Sequence, residues 1–239
     1  MIPELRSAWL LHRRPYQESA VIAEFLLESQ ERLAMVVKGA RAPRSAKMAL
    51  LQPFAQVMVS WRGKGDLKTL HAIEPLQTFR LLGMHLYCGI YINELLLRAV
   101  MPGQLTEGLF ELYSSAVSQL SRREPVQPVL RFFELQLLQL TGYLPCFNYD
   151  AYSGQAIKPD RWYRFKPTTG FIAIDEHQAN NYDKHLVFHA SVVKALAERD
   201  FSNKTYYYDF KRFSRLALAV LVGKKPLKSR ELFLKGHNN

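Results

Sequence analysis

Ten residues, KGARAPRSAK from Lys38 to Lys47, hold the four cations Lys38, Arg41, Arg44 and Lys47 and no acid. The other positions are Gly39, Pro43 and the small Ala40, Ala42, Ser45 and Ala46. Small neighbours leave the backbone accessible, so long cationic side chains can reach anions spaced along a polymer. Arg62, Lys64 and Lys68 follow around the two glycines of RGKGDLK. From Lys38 to Lys68 seven cations face one acid, Asp66, a net of +6. From Lys204 to the C-terminus nine cations, among them Lys224, Lys225, Lys228 and Arg230, face Asp209 and Glu231, a net of +7. The whole chain carries +11, which leaves −2 for everything else. The positive charge is therefore focused in two segments. Segments of this kind bind a polyanion, and phosphate contacts give affinity without sequence choice that weakens steeply with salt.

Other chemistries fail on spacing, and no catalytic residue is expected. No Gly-x-Ser-x-Gly elbow is present, and Ser, His and Asp show no grouping that would activate a nucleophile. His185 and His189, in HLVFH, stand four apart and share a face if the segment is helical. They lack the acid of a His-Glu-x-x-His site, so an ordinary surface or half-buried pair is expected. Cys88 and Cys146 give neither a disulfide framework nor paired zinc ligands, so no metal is expected. In GKKPLKS, Leu227 and Val222 occupy the two places where a phosphate-binding loop needs glycine, which excludes nucleotide hydrolysis. In the basic region only Asp66 and Glu74 stand near each other, too few carboxylates for a nuclease unless a metal completes the site. No cofactor is implied.

The elements that must carry the cations can be read from the hydrophobic pattern. Of 239 residues 48% are hydrophobic, enough for a folded core in one or two domains. No run of about 18 uncharged apolar residues is long enough to span a membrane. The start, MIPELRSAWLLHRR, holds Glu4 and Arg6 and lacks a signal-peptide core, so a cytoplasmic protein is expected. Residues 8–13, 19–27, 32–38, 54–61 and 67–73 are short runs rich in Val, Leu, Ile and aromatics, with hairpin connections at 28–31 and 62–66. Five strands with one long connection, the one holding KGARAPRSAK, suit a small closed barrel of the oligonucleotide-binding (OB) type. Periodicity alone leaves an SH3-like barrel open. Beyond residue 80 the period becomes helical, with helices expected near 82–100, 109–120, 128–141, 186–199 and 209–222. Gly142 and Gly223 are placed to stop two of them. Residues 146–182 interrupt the helices with a small hairpin, 161–166 against 170–174. The reading is an α+β chain: an OB-type barrel over 1–79, then a helical domain over 80–239 with an irregular insert at about 146–182.

Trp9, Tyr16, Phe54 and Trp61 offer rings on which bases can stack. Strand alternation assigns most of them to the core, and Tyr16, in a polar turn, is the best platform.

The ordered pieces KGARAPRS, LLQPF, GKGDLKTL, LYCGIYINELLLR, LRFFELQLLQLTGY and GKKPLKSREL resemble the bacterial RecO family of DNA repair proteins, its gammaproteobacterial members in particular. The resemblance covers nearly the whole chain. It implies an OB domain, a helical domain with a zinc-finger-like insert, and a recombination mediator with no enzymatic activity. It implies binding of single- and double-stranded DNA, annealing of complementary strands, and help from RecR in loading RecA onto DNA coated with single-stranded-DNA-binding protein (SSB). It also implies docking of the SSB C-terminal tail, with Arg131 as its carboxylate partner and Arg122 and Arg123 as weaker candidates. Many members carry four zinc-binding cysteines in the insert. Here Cys146 stands alone, so the insert is expected to hold its shape without metal. Within this picture Lys38–Lys47, with Arg62, Lys64 and Lys68, grips DNA, and Lys224–Arg230 forms a second basic surface. The barrel and charge alone fit an OB-fold RNA-binding protein equally well, and substrate preference separates the two.

Overall fold

A computed structural model describes residues 4–175, 177, 181–223 and 225–235. In chain order its elements are strands β1 (Arg6–Tyr16), β2 (Ala20–Leu27) and β3 (Arg32–Val37), helix α1 (Ala46–Leu50), and strands β4 (Ala55–Arg62) and β5 (Leu67–Thr78). Helices α2 (Gly83–Ala99), α3 (Leu109–Ser121) and α4 (Val126–Leu140) follow, then strands β6 (Trp162–Lys166), β7 (Gly170–Ile174) and β8 (Val187–His189). Helices α5 (Ala190–Glu198), α6 (Tyr207–Val222) and α7 (Arg230–Lys235) complete the chain. Two compact units emerge: residues 1–124 with 226–239, and residues 125–225.

The first unit is built on a closed barrel in the order β1-β2-β3-β5-β4. Alternate side chains of each strand meet inside, among them Leu10, Val21, Ala23, Phe25, Met35, Val57 and Val59. β3 and β5 run parallel, with Ala34 opposite Leu67 and Val36 opposite Thr69. Parallel neighbours need a crossover. The connection from β3, the short α1 and β4 supply it, which is the arrangement of the OB fold and removes the SH3-like alternative. The connection is anchored at both ends: Ala40 and Leu51 are part of the barrel core, and Met48 of α1 packs against it.

Helices α2 and α3 belong to the same unit and cover the outer side of β1. Trp9 is buried there, its indole N–H donating to Ser114 Oγ at 2.8 Å. Asn93 donates to the Leu11 carbonyl and accepts from the Tyr113 hydroxyl, which ties both helices to the strand. Phe54 is buried against α2 at Gly89, where any Cβ would lie 2.7 Å from the Phe54 ring.

In the second unit β7, β6 and β8 form a three-stranded sheet. Phe165, Phe171, Phe188 and Phe213 pack with ring centroids 5.0 to 6.4 Å apart, and Phe147 joins them. Asp150 organises the preceding turn. Its carboxylate accepts from the amides of Tyr152, Ser153 and Ala173 and from the Ser153 hydroxyl. Burial alone would raise its pKa, but these four donors outweigh that and hold it below the usual carboxylate value. Gly142 and Gly223, both with positive φ, end α4 and α6 as expected.

One expectation needs correction. Residues 186–199 do not form a single helix: a 3-10 turn (Lys184–Leu186) leads into β8, and α5 starts only at Ala190. Val187 and Phe188 are buried, and Val187, Phe188 and His189 pair with β6, so a run that scans as helical is captured as a sheet edge. His185 and His189 consequently lie on different elements. His189 caps α5 through the Ser191 amide.

Candidate nucleic-acid interface

The loop after β3 turns at Gly39, whose φ of +70° favours glycine. Ala40 then plugs the barrel, and the Arg41 amide donates to the Ser19 carbonyl. With Ala40 and Leu51 fixed and Met48 packed against the barrel, the cationic side chains of this stretch are left on the outside. Lys38, Arg41, Arg44 and Lys47 are all exposed. The Arg41 guanidinium donates to the Gln17 carbonyl at 3.1 Å, and Lys47 Nζ reaches the Lys38 carbonyl at 3.4 Å. Both bonds are to backbone carbonyls and leave the charges unneutralised. Arg44 adopts φ +61°, a strained conformation for a residue with a Cβ and one that concentrates at functional sites. Around Ala40, Arg41, Arg44, Met48 and Gln52 the surface forms an open cleft of about 530 Å³.

One further cation, Arg13, joins this loop, and sequence reasoning missed it. Arg13 donates to the Met48 carbonyl at 3.4 Å and contacts its sulfur, and Arg14 beside it is exposed. Both lie in β1, which runs on to Tyr16, and the barrel's closure brings Arg13 against the β3–β4 connection. The end of β1, the β1–β2 turn and this connection together carry six cations (Arg13, Arg14, Lys38, Arg41, Arg44 and Lys47) against Glu18. Turns and strand faces of this kind are where OB folds take oligonucleotides.

The β4–β5 turn carries the other predicted group. Arg62 and Lys64 are exposed, whereas Lys68 is half-buried and shares its strand face with the core residue Leu70. Lys68 lies opposite Met35, three residues before Lys38. At about 3.3 Å per residue that offset is roughly 10 Å, so the two groups flank the same stretch of β3.

Among the aromatics, Trp9 and Phe54 are core. Trp61 is half-buried under the Arg6 guanidinium, 6.0 Å from its ring, and Tyr16 rests on Ala20, Ile22 and Val36 with one side open.

The C-terminal basic segment returns to the first unit and is clasped by one carboxylate of α2. Glu94 accepts from the amides of Lys228 and Ser229 at 2.9 and 2.8 Å, from the Ser229 hydroxyl at 2.7 Å and from Arg98 at 2.9 Å. Burial opposes its charge, but the Ser229, Lys228 and Arg98 donors prevail and lower its pKa. Leu227 is buried beside the clasp, Lys228 is exposed and Arg230 half-buried. Lys225 is exposed, and Lys224 lies outside the described residues.

Of the remaining predicted residues, Arg122 and Arg123 are exposed at the end of α3, Arg122 paired with Glu124. Arg131 is no solvated helix cation. It is 4% exposed and pairs with Glu134, one turn on, at 3.0 Å. Among the described residues no three His, Cys, Asp or Glu converge as a metal site, and no helix is long and apolar enough to cross a membrane.

Two family models match the chain, recombination protein O N terminal over residues 1–79 and recombination protein O C terminal over residues 83–231. A DNA repair protein RecO of Vibrio cholerae is 40% identical over 230 residues, 96% of this chain and 93% of that one. Those of Glaesserella parasuis and Haemophilus influenzae are each 39% identical over 98% of this chain and 96% and 97% of theirs.

Proposed function

The chain belongs to the recombination protein O family, and on that premise we propose that it is a recombination mediator that binds single- and double-stranded DNA and anneals complementary strands. With RecR it helps load RecA onto SSB-coated DNA, working at the nucleoid in the cytoplasm. The observation that carries this reading is the anchored cationic rim. Arg13, Arg14, Lys38, Arg41, Arg44 and Lys47 project from a backbone tied into the core of an OB barrel. Arg62 and Lys64, and to a lesser extent Lys68, extend that rim. The segment from Lys224 to Arg230 forms the second surface. Two cationic surfaces on one molecule hold two strands and offset their mutual repulsion, which needs neither nucleotide nor catalytic base.

The SSB tail, acidic and ending in a carboxylate, docks in this reading at Arg131, with Arg122 and Arg123 as weaker alternative candidates. Arg131 Nε finds no hydrogen-bond acceptor among the described residues, so the guanidinium retains capacity for a second carboxylate beside Glu134.

The test is annealing of complementary strands precoated with cognate SSB, without nucleotide or metal, at low and moderate salt. Fast annealing is expected, falling with salt and falling further with SSB that lacks its tail. Reversing the charges of either basic segment is expected to abolish annealing more than single-strand binding. Absent annealing with tight binding to structured RNA would establish the OB-fold RNA-binding reading instead.

A further inference from the structure

The insert of the second unit presents aromatic rings that the reading above does not use. Tyr149 is 55% exposed and Tyr152 89%, yet the turn that carries them is firmly held. Asp150, between them, spends its carboxylate on the amides of Tyr152, Ser153 and Ala173. Its own amide donates to the Gln155 carbonyl at 2.8 Å, and the Ala151 amide donates to the Phe171 carbonyl at 2.7 Å. Among the described residues neither tyrosine ring is taken up by another ring or by a cation.

A lysine stands beside each ring. Ala151 packs over Gly170, where a Cβ would lie 3.3 Å from the Ala151 methyl, and Gly170 pairs with Lys166. This sets Lys166 next to the turn at Tyr152. Tyr149 bridges Ala156, and the Ile157 amide donates to the Asn148 carbonyl at 2.9 Å, which sets Lys158 next to Tyr149. Both lysines are exposed. Arg164 is half-buried and spent on Tyr182, its guanidinium 4.7 Å from that ring's centroid.

A cleft of about 480 Å³ opens on the same stretch of chain, with apolar walls from Phe147, Ile157 and Pro159. Asp160 and Glu198 line it together with Lys194, so carboxylates outnumber lysines there. Such a slot disfavours a phosphate or a peptide carboxylate. It accepts a neutral flat ring whose amino group donates to an acid, as that of cytosine does.

We propose that this face of the insert binds a single DNA strand, with bases stacked on Tyr149 and Tyr152, phosphates on Lys158 and Lys166, and one unpaired base in the cleft. The inference rests on the DNA-binding reading given above and adds a site in the second unit. Exposed rings among cations suit single strands of any sequence, because every base has a face to stack. A duplex keeps its bases stacked on each other and offers neither a free face to the tyrosines nor a base to the cleft. The three-residue step from Tyr149 to Tyr152 spans at most about 10 Å, the reach of about three nucleotides at 3.4 Å each. An acidic peptide finds the lysines but has no use for the rings and is opposed by Asp160 and Glu198.

The probe is a labelled oligodeoxycytidylate carrying one 5-iododeoxycytidine, read by fluorescence anisotropy across a salt series and by photocrosslinking to the full chain. In the unmodified protein a crosslink is expected on the peptide that holds Tyr149 and Tyr152. The double variant K158Q/K166Q is expected to flatten the log–log salt slope for the strand by about 1.4, from about 0.7 per lost phosphate contact. Tyr152→Ala is expected to weaken strand binding about tenfold and Tyr152→Phe to restore it, with duplex binding and the urea midpoint unchanged in both. Wild-type slope and affinity in these variants, with crosslinks confined to residues 1–124, overturn the proposal and leave the DNA-binding reading intact. A flattened slope with no effect of Tyr152→Ala, or an equal loss of duplex binding, overturns the stacked single-strand site in favour of a charge contact alone. A wild-type chain that binds no strand at all overturns both.

Discussion

Substituting Glu94 by alanine removes the clasp on the C-terminal basic segment, and its cost follows from the contacts. The carboxylate is 19% exposed and accepts four hydrogen bonds, two of them from the amides of Lys228 and Ser229. Bonds to a charged acceptor contribute about 1.5–3 kcal/mol each in mutational series, but the freed amides and Arg98 regain water here. Loss of a helix cap costs about 0.5–2 kcal/mol, and the hydroxyl and Arg98 contacts add to it. About 3 kcal/mol is expected, roughly a hundredfold in the opening equilibrium of residues 226–235. Hydrogen exchange reads this directly: the Lys228 and Ser229 amides exchange about a hundredfold faster in the variant, with barrel amides unchanged. Lowering pH acts the same way. Because the folded-state pKa of Glu94 is depressed, its contribution is complete above the unfolded-state value near 4.3 and is lost as pH falls through the folded value. Unchanged exchange at Lys228 and Ser229, or protection lost equally across the barrel, would refute the clasp.

Three other substitutions separate structure from binding. Arg44→Gly relieves a left-handed residue while loosening the unfolded chain, so stability should move by less than about 0.5 kcal/mol in chemical denaturation, while single-strand affinity falls and the salt slope flattens by about 0.7. An equal loss of stability would show that Arg44 serves the fold. Gly89→Ala forces a Cβ into the Phe54 ring and Leu81, and should destabilise by about 1–3 kcal/mol through overpacking, seen as a lower midpoint in urea. Asp150→Asn replaces one acceptor oxygen with a donor facing amide donors, and should cost about 2–3 kcal/mol. As the folded Asp150 pKa is depressed, the wild-type advantage should vanish as pH falls below about 3.9 and through the folded value; an advantage persisting to lower pH would refute the assignment.

The barrel was legible because its strands are short runs rich in Val, Leu and Ile bounded by turn residues: β4 alternates, with Val57 and Val59 inward, whereas β2 and β3 are buried almost throughout and read as continuous apolar runs. Helices α2, α3 and α4 were legible from their long apolar stripes. Residues 187–189 were not, because two apolar residues and a histidine carry no period, and pairing with Trp162, Tyr163 and Arg164 decided their state. The same limit hid parts of the candidate interface. Lys38–Lys47 announces itself as a charge run, but Arg13 joins it only through the fold. Arg131 was named as a carboxylate partner through the family resemblance, and its burial with Glu134 depends on contacts no local pattern encodes.

In the proposed annealing role the chain must let go of the duplex it makes, and its charge bears on how. Four single-strand phosphate contacts give a log–log salt slope near −2.8, and the same four on a duplex near −3.6. Between 50 and 200 mM salt, that is about a fiftyfold loss for the strand and about 150-fold for the duplex. Cations held by backbone carbonyls, as Arg41 and Lys47 are, add no base-specific contact to oppose this release. The product should therefore dissociate more steeply with salt than either substrate strand. Parallel salt titrations of labelled strand and duplex test this, and equal slopes would mean that release depends on something other than counterions.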